Sequence, residues 1–159
     1  MIDLAWEDAR TVELLLSSPD PSSMANTICF HCQQCAEKQL KAALHVMGEP
    51  APRTHDVHAL LGFAARSIPD APHEPWYLGE DAAFLTGLEA SVRYEGLGAS
   101  DLHVYKHAVA SVNEIADWLE AGGMECVRID APYTRMDTDF EEEPILPGRQ
   151  SRQADEKSL

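Results

Sequence analysis

The chain has 159 residues, enough for one domain or one domain with a tail, and 45% of them are hydrophobic, as in an ordinary globular protein. A domain of this size buries roughly two-thirds of its unfolded surface, so neither a disulfide nor a metal is needed to hold it together. The formal net charge of −15 repels free duplex DNA and excludes non-specific nucleic-acid binding driven by overall charge, and no apolar run approaches the roughly 18–20 residues of a membrane span.

Asp3 to Ser17 reads as the first helix, with Leu4, Ala5, Ala9, Val12, Leu15 and Leu16 as its apolar stripe and Asp3 as its N-cap. No positively charged segment followed by an apolar run precedes it, so no secretory signal is expected and the cytoplasm is the expected compartment. Pro19 and Pro21 break the chain. Ser22 or Ser23 is placed to cap a long second helix that runs to about Met47, where Gly48 ends it. Along that helix Ile28, Cys32, Cys35, Ala36, Leu40, Ala43, Leu44 and Met47 recur at steps of three and four and make a core face. His31, Gln34, Lys38, Lys41 and His45 recur at the same steps on another side, a polar and partly cationic ridge. Such a ridge is either a solvated face or a row of donors for an anionic ligand.

Cys29, Cys32 and Cys35 lie on the same helix, whereas zinc-ribbon cysteine pairs sit on turns and require a second pair that the chain lacks. They read as small core side chains, and no metal site or cofactor is expected. Thr54, His55 and Asp56 open a third helix, where Thr54 or Asp56 caps the free N–H groups. The same helix start, with His58 nearby, offers a phosphate its free backbone donors. Ser67 to Gly79 holds Pro69, Pro72 and Pro75 and reads as a loop anchored on the core by Trp76 and Tyr77. Glu80 to Arg93 reads as a fourth helix, with Ala83, Phe84, Leu88 and Val92 inward. After a break at Gly96 and Gly98, Ser100 or Asp101 caps a last helix that ends at Gly122 and Gly123. His103 and His107 stand four apart there, a spacing that can grip a divalent metal or simply decorate a surface.

From Met124 the chain turns acidic and proline-bearing, and its last stretch lacks periodicity. The expected architecture is therefore all-α: an up-and-down bundle of four to five helices over residues 1–123, followed by a flexible, disordered acidic tail over 124–159. Neither a nucleophile elbow nor a glycine-rich phosphate loop is present. Arg93-Tyr94, at the end of the fourth helix, is either a solvent-facing pair or a fork for a phosphate with an adjacent hydrogen-bonding ring.

Several of these segments together resemble the HEPN domain family. They are Asp3-Leu-Ala-Trp-Glu-Asp-Ala9, Phe30-His-Cys-Gln-Gln-Cys-Ala-Glu-Lys-Gln-Leu-Lys-Ala42, Arg53-Thr-His-Asp-Val57 and Val92-Arg93-Tyr94. The resemblance covers roughly Ile2 to Glu120 and implies a helical bundle, often a homodimer, with a functional cleft between helices. It implies a nucleotide- or RNA-phosphate-binding module acting with a nucleotidyltransferase partner, as a toxin–antitoxin pair or a substrate-binding subunit. Arg93 and Tyr94 would be the anchor, with Gln34, Lys38, Lys41, Thr54, His55 and Asp56 in support. Other members are metal-independent endoribonucleases that place a histidine a few residues after an arginine. That reading takes Arg93 to steady the phosphorane and His103 as acid or base. Here Glu95 replaces the proline common in relatives, and the next histidine, His103, lies beyond Gly96 and Gly98. A pure dimeric interaction protein is the third expectation.

Overall fold

The computed structural model describes residues 1–90 and 103–135. Among these residues five α-helices follow in order: α1 Ile2–Leu16, α2 Ala25–Val46, α3 Val57–Ser67, α4 Trp76–Ala90 and α5 Val104–Ala121. A 3-10 turn, Pro21–Met24, leads into α2. The all-α bundle is the architecture expected from the periodicity. No helix among the described residues is long and apolar enough to cross a membrane.

The 22 residues of α2, roughly 33 Å of helix, are the mast of the bundle, because α2 packs against each of the other four helices. Its predicted core face is correct: Ile28, Cys32, Cys35, Ala36 and Leu40 are fully buried, with Ala43 and Leu44 nearly so. They meet Ala5, Ala9 and Val12 of α1, Leu60 and Leu61 of α3, Leu85 of α4, and Val109, Val112 and Ile115 of α5 in one core. Burying each valine, leucine or isoleucine side chain among them is worth about 1.5–3 kcal/mol.

Both long helices end in the same way. Gly48 (φ +75°) and Gly123 (φ +78°) adopt the left-handed conformation after α2 and α5. The Gly48 and Glu49 N–H groups donate to the His45 and Leu44 carbonyls, and the Gly123 and Met124 N–H groups to those of Glu120 and Leu119. At the starts, Asp56 caps α3 by accepting from the Ala59 N–H at 3.0 Å. Asp3 lies instead inside the first turn of α1, whose N-cap is Met1. Ser22 and Ser23 sit in the 3-10 turn and bond to Asp20 rather than capping α2.

Two further expectations need correction. α4 begins at Trp76, because the ring of Pro75 is accommodated immediately before a helix. Trp76 is accordingly 76% exposed rather than anchored in the core. Leu78, Ala82, Leu85 and Leu88 are buried, Phe84 packs partly buried against the core as expected, and Ala83 is exposed instead of inward. The segment after Gly123 also does not leave the bundle at once. Met124, Val127 and Ile129 are buried in the core. The Val127 N–H donates to Oε1 of the buried Gln39 at 3.0 Å, and Asn113 both donates to the Ile129 carbonyl and accepts from its N–H. Residues 124–135 form a strap along the bundle, and the acidic run from Asp137 lies outside the described residues.

Candidate functional site: an oriented imidazole on the central helix

Where α2 passes the start of α3, a carboxylate is buried in the bundle. Glu37 is 5% exposed. Its Oε1 accepts from Lys41 Nζ at 2.7 Å, one helical turn further on, and Oε2 accepts from Gln33 Nε2 at 3.1 Å, one turn back. His55 approaches from the α2–α3 connection, with Nδ1 at 3.1 Å from both oxygens. A carboxylate only accepts, so Nδ1 carries the proton and Nε2 is turned away from the pair. The His55 side chain is 62% exposed, so the imidazole presents that outer edge to solvent. Burial pushes the Glu37 carboxyl up, but the hydrogen bonds from Lys41, His55 and Gln33 outweigh it and hold it below its ordinary value.

The surroundings fix the dyad on two sides. Gln33 Nε2 also donates to the His55 carbonyl at 3.2 Å, and Gln34 Nε2 donates to Gln33 Oε1 at 2.7 Å. Thr54 Oγ1 accepts from the Asp56 N–H. The Thr86 hydroxyl of α4 accepts from the Val57 N–H at 3.0 Å and donates to the Ala82 carbonyl. Thr86 thus clamps α4 onto the first turn of α3. The result is a chain of satisfied polar groups with one exposed end, a rigid geometry for presenting an imidazole.

A second buried carboxylate organises the other half of the ridge. Asp8 of α1 is 6% exposed and takes His31 Nδ1 at 2.8 Å on one oxygen and Lys38 Nζ at 2.5 Å on the other.

The HEPN domain model matches residues 2–122. The chain belongs to the HEPN family. Among curated proteins and among solved structures, nothing matches it.

Within this HEPN domain the polar ridge read from the sequence is real as a face of α2 but is not an open row of cations. Lys38 and Lys41 are each held by a buried carboxylate, Asp8 and Glu37, and their side chains are only 25% and 14% exposed. Gln34, Thr54, His55 and Asp56 do come together, around Glu37 and the start of α3. Arg93 and Tyr94 lie outside the described residues, beyond the end of α4. His103 is exposed at the N-cap of α5 and makes no cap bond through its side chain. His107 instead meets the Phe84 ring edge-on, with the ring centroids 4.1 Å apart, and stands 3.5 Å from Asp81.

Gln33, Glu37 and Thr86 are the members that sequence reasoning missed. Gln33 and Glu37 fall between the two stripes of α2, and their long-range partners are invisible in one dimension. The sequence signals were the spacing of one turn between Gln33 and Glu37 and between Glu37 and Lys41, and the place of both residues in the Phe30–Ala42 segment of the family resemblance. The three α2 cysteines are core, as read. All are fully buried, and burial pushes the Cys29 thiol up to about 12 and those of Cys32 and Cys35 further, so they remain protonated packing groups.

Proposed function

We propose that this HEPN domain is a non-catalytic module that binds the phosphate of a nucleotide or RNA and acts with a nucleotidyltransferase partner, in a toxin–antitoxin pair or as a substrate-binding subunit. The observation that carries the reading is the Glu37–His55 dyad: a buried carboxylate holding an exposed imidazole in one orientation beside Gln34, Lys41 and the start of α3. Buried polar groups lose hydration on folding, and this set directs its compensation towards one exposed histidine edge. A phosphate oxygen at that edge is reached by His55 Nε2 when the ring is doubly protonated and by the Gln34 amide. Lys41 can exchange Glu37 for the ligand by rotating about its own side chain. Arg93 supplies the bidentate anchor and Tyr94 the adjacent hydroxyl or ring, with Thr54, Asp56 and Lys38 shaping the surroundings. The protein works as a homodimer in this reading.

Titration with ATP and with a short single-stranded RNA tests it. Saturable binding is expected for wild type, weakened at least about tenfold by Arg93→Ala, the loss of one charge-assisted contact of about 1.5 kcal/mol or more. His55→Ala weakens it less. Absence of binding by a stable dimer would leave a pure interaction protein. Capture of a purified nucleotidyltransferase encoded beside the chain tests the partner.

The second reading, a metal-independent endoribonuclease using Arg93 and His103, draws on one observation. His103 stands exposed at the start of α5, with its imidazole unengaged in capping.

A further inference from the structure

The beginning of α4 carries a polar arrangement that the phosphate reading does not use, separated from Thr86 by roughly 15 Å of helix rise at Trp76. Asp81 is 2% exposed. Its Oδ1 accepts from Arg135 at 2.6 Å, and His107 Nε2 stands 3.5 Å away. The Arg135 guanidinium lies 4.7 Å from the Tyr77 ring centroid and 5.6 Å from that of Trp76, with Glu80 at 3.9 Å. Two aromatic faces and two carboxylates around one planar cation match what a guanidinium uses: stacking on rings together with forked hydrogen bonds.

Two features set this apart from an ordinary ion pair. Asp81 Oδ2 is buried with no hydrogen-bond partner, although a forked guanidinium–carboxylate contact would occupy both oxygens. The strap that delivers Arg135 is also fastened further back, by Val127 to Gln39, by Ile129 to Asn113, and by the Asp130 N–H to Glu13 Oε1. Arg135 can therefore withdraw while the strap stays in place. The neighbourhood favours a cation: burial and the Asp81 and Asp117 charges hold the Glu114 carboxyl above its ordinary value.

We propose that Trp76, Tyr77, Glu80 and Asp81 form a receptor for an arginine side chain, filled in cis by Arg135 and open in trans to an arginine of a partner protein. The cis residue acts as an internal competitor at an effective concentration in the mM range, so a partner's arginine engages fully only when its other contacts hold it nearby.

The test uses the full chain with acetyl-arginine-amide as probe, and acetyl-lysine-amide and guanidinium ion as comparisons. In wild type the Arg135 side-chain Nε–H resonance is followed by NMR as probe is raised above the mM range. It is expected to shift with acetyl-arginine-amide, less with guanidinium ion, and not with the lysine compound. In Arg135→Ala, binding read by the fluorescence of Trp76 is expected to tighten at least about tenfold, since the internal competitor is gone. The signal should vanish in Arg135→Ala/Trp76→Phe and the binding in Arg135→Ala/Asp81→Asn. If Arg135→Ala does not fold, the wild-type resonance decides. An Arg135 resonance unmoved by the arginine probe would overturn the proposal, as would equal response to the lysine compound or full binding by the Asp81→Asn double variant.

Discussion

Two carboxylates buried to nearly the same degree end in different conditions. Glu37 has both oxygens occupied by Lys41, Gln33 and His55, drawn from its own helix and the connection that follows. Asp81 has one oxygen occupied, by a residue from the far end of the described chain, and the other empty. A satisfied network rigidifies what it touches, and in the case of Glu37 that is an exposed imidazole. A half-satisfied one retains unused bonding capacity, and in the case of Asp81 that capacity lies beside an arginine that also sits over the rings of Tyr77 and Trp76.

The largest expected effect is on the satisfied side. Glu37→Ala removes the common acceptor of three donors and is expected to cost about 2–3 kcal/mol, below the upper range for a broken buried pair because Lys41 and His55 can reach water. Urea unfolding measures it. Asp81→Asn keeps the shape and removes the buried charge, so its cost is expected to be smaller, about 1 kcal/mol, with non-additivity towards Arg135→Ala in a double-mutant cycle. Equal costs for the two positions would erase the distinction between them.

Acid sharpens the contrast. The folded Glu37 carboxyl sits below its ordinary value of 4.5, so its contribution is fully present above that value and is lost as pH falls through the lower folded one. Urea midpoints measured downward from pH 5 should therefore fall more steeply in wild type than in Glu37→Gln. The smallest effect belongs to Glu114, whose carboxyl is held above its ordinary value by burial and by Asp81 and Asp117. Its charged form is disfavoured in the fold, so Glu114→Gln is expected to raise the melting temperature at pH 7 by about 1–2 °C. A fall would show that this carboxylate has a favourable partner.

Most of the bundle was legible because periodicity reports burial directly. The stripe from Ile28 to Leu44 is core, and the stops at Gly48 and Gly123 hold. α4 was harder to phase: Trp76, Leu78, Ala82, Phe84 and Leu85 surround most of the helix with apolar groups, leaving no clear polar side to orient it. The candidate site was half legible. Thr54, His55 and Asp56 could be grouped because a helix start draws polar residues together, and Gln34 was legible as part of the polar ridge of α2. Lys38 and Lys41 looked free because their partners are not visible as partners: Asp8 is thirty residues away from Lys38, and Glu37, the single acid of α2, carries no sign of its burial in the sequence. The strap was illegible for a related reason, since Val127 and Ile129 are docked by side-chain amides of Gln39 and Asn113 rather than by a pattern of their own.

The measurement that bears most directly on the central claim is RNA cleavage by the purified protein in the presence of EDTA, comparing wild type, Arg93→Ala and His103→Ala. A binding module leaves the RNA intact in all three while wild type still retains it. Cleavage by wild type that disappears in both variants would contradict that account and establish Arg93 and His103 as an active pair.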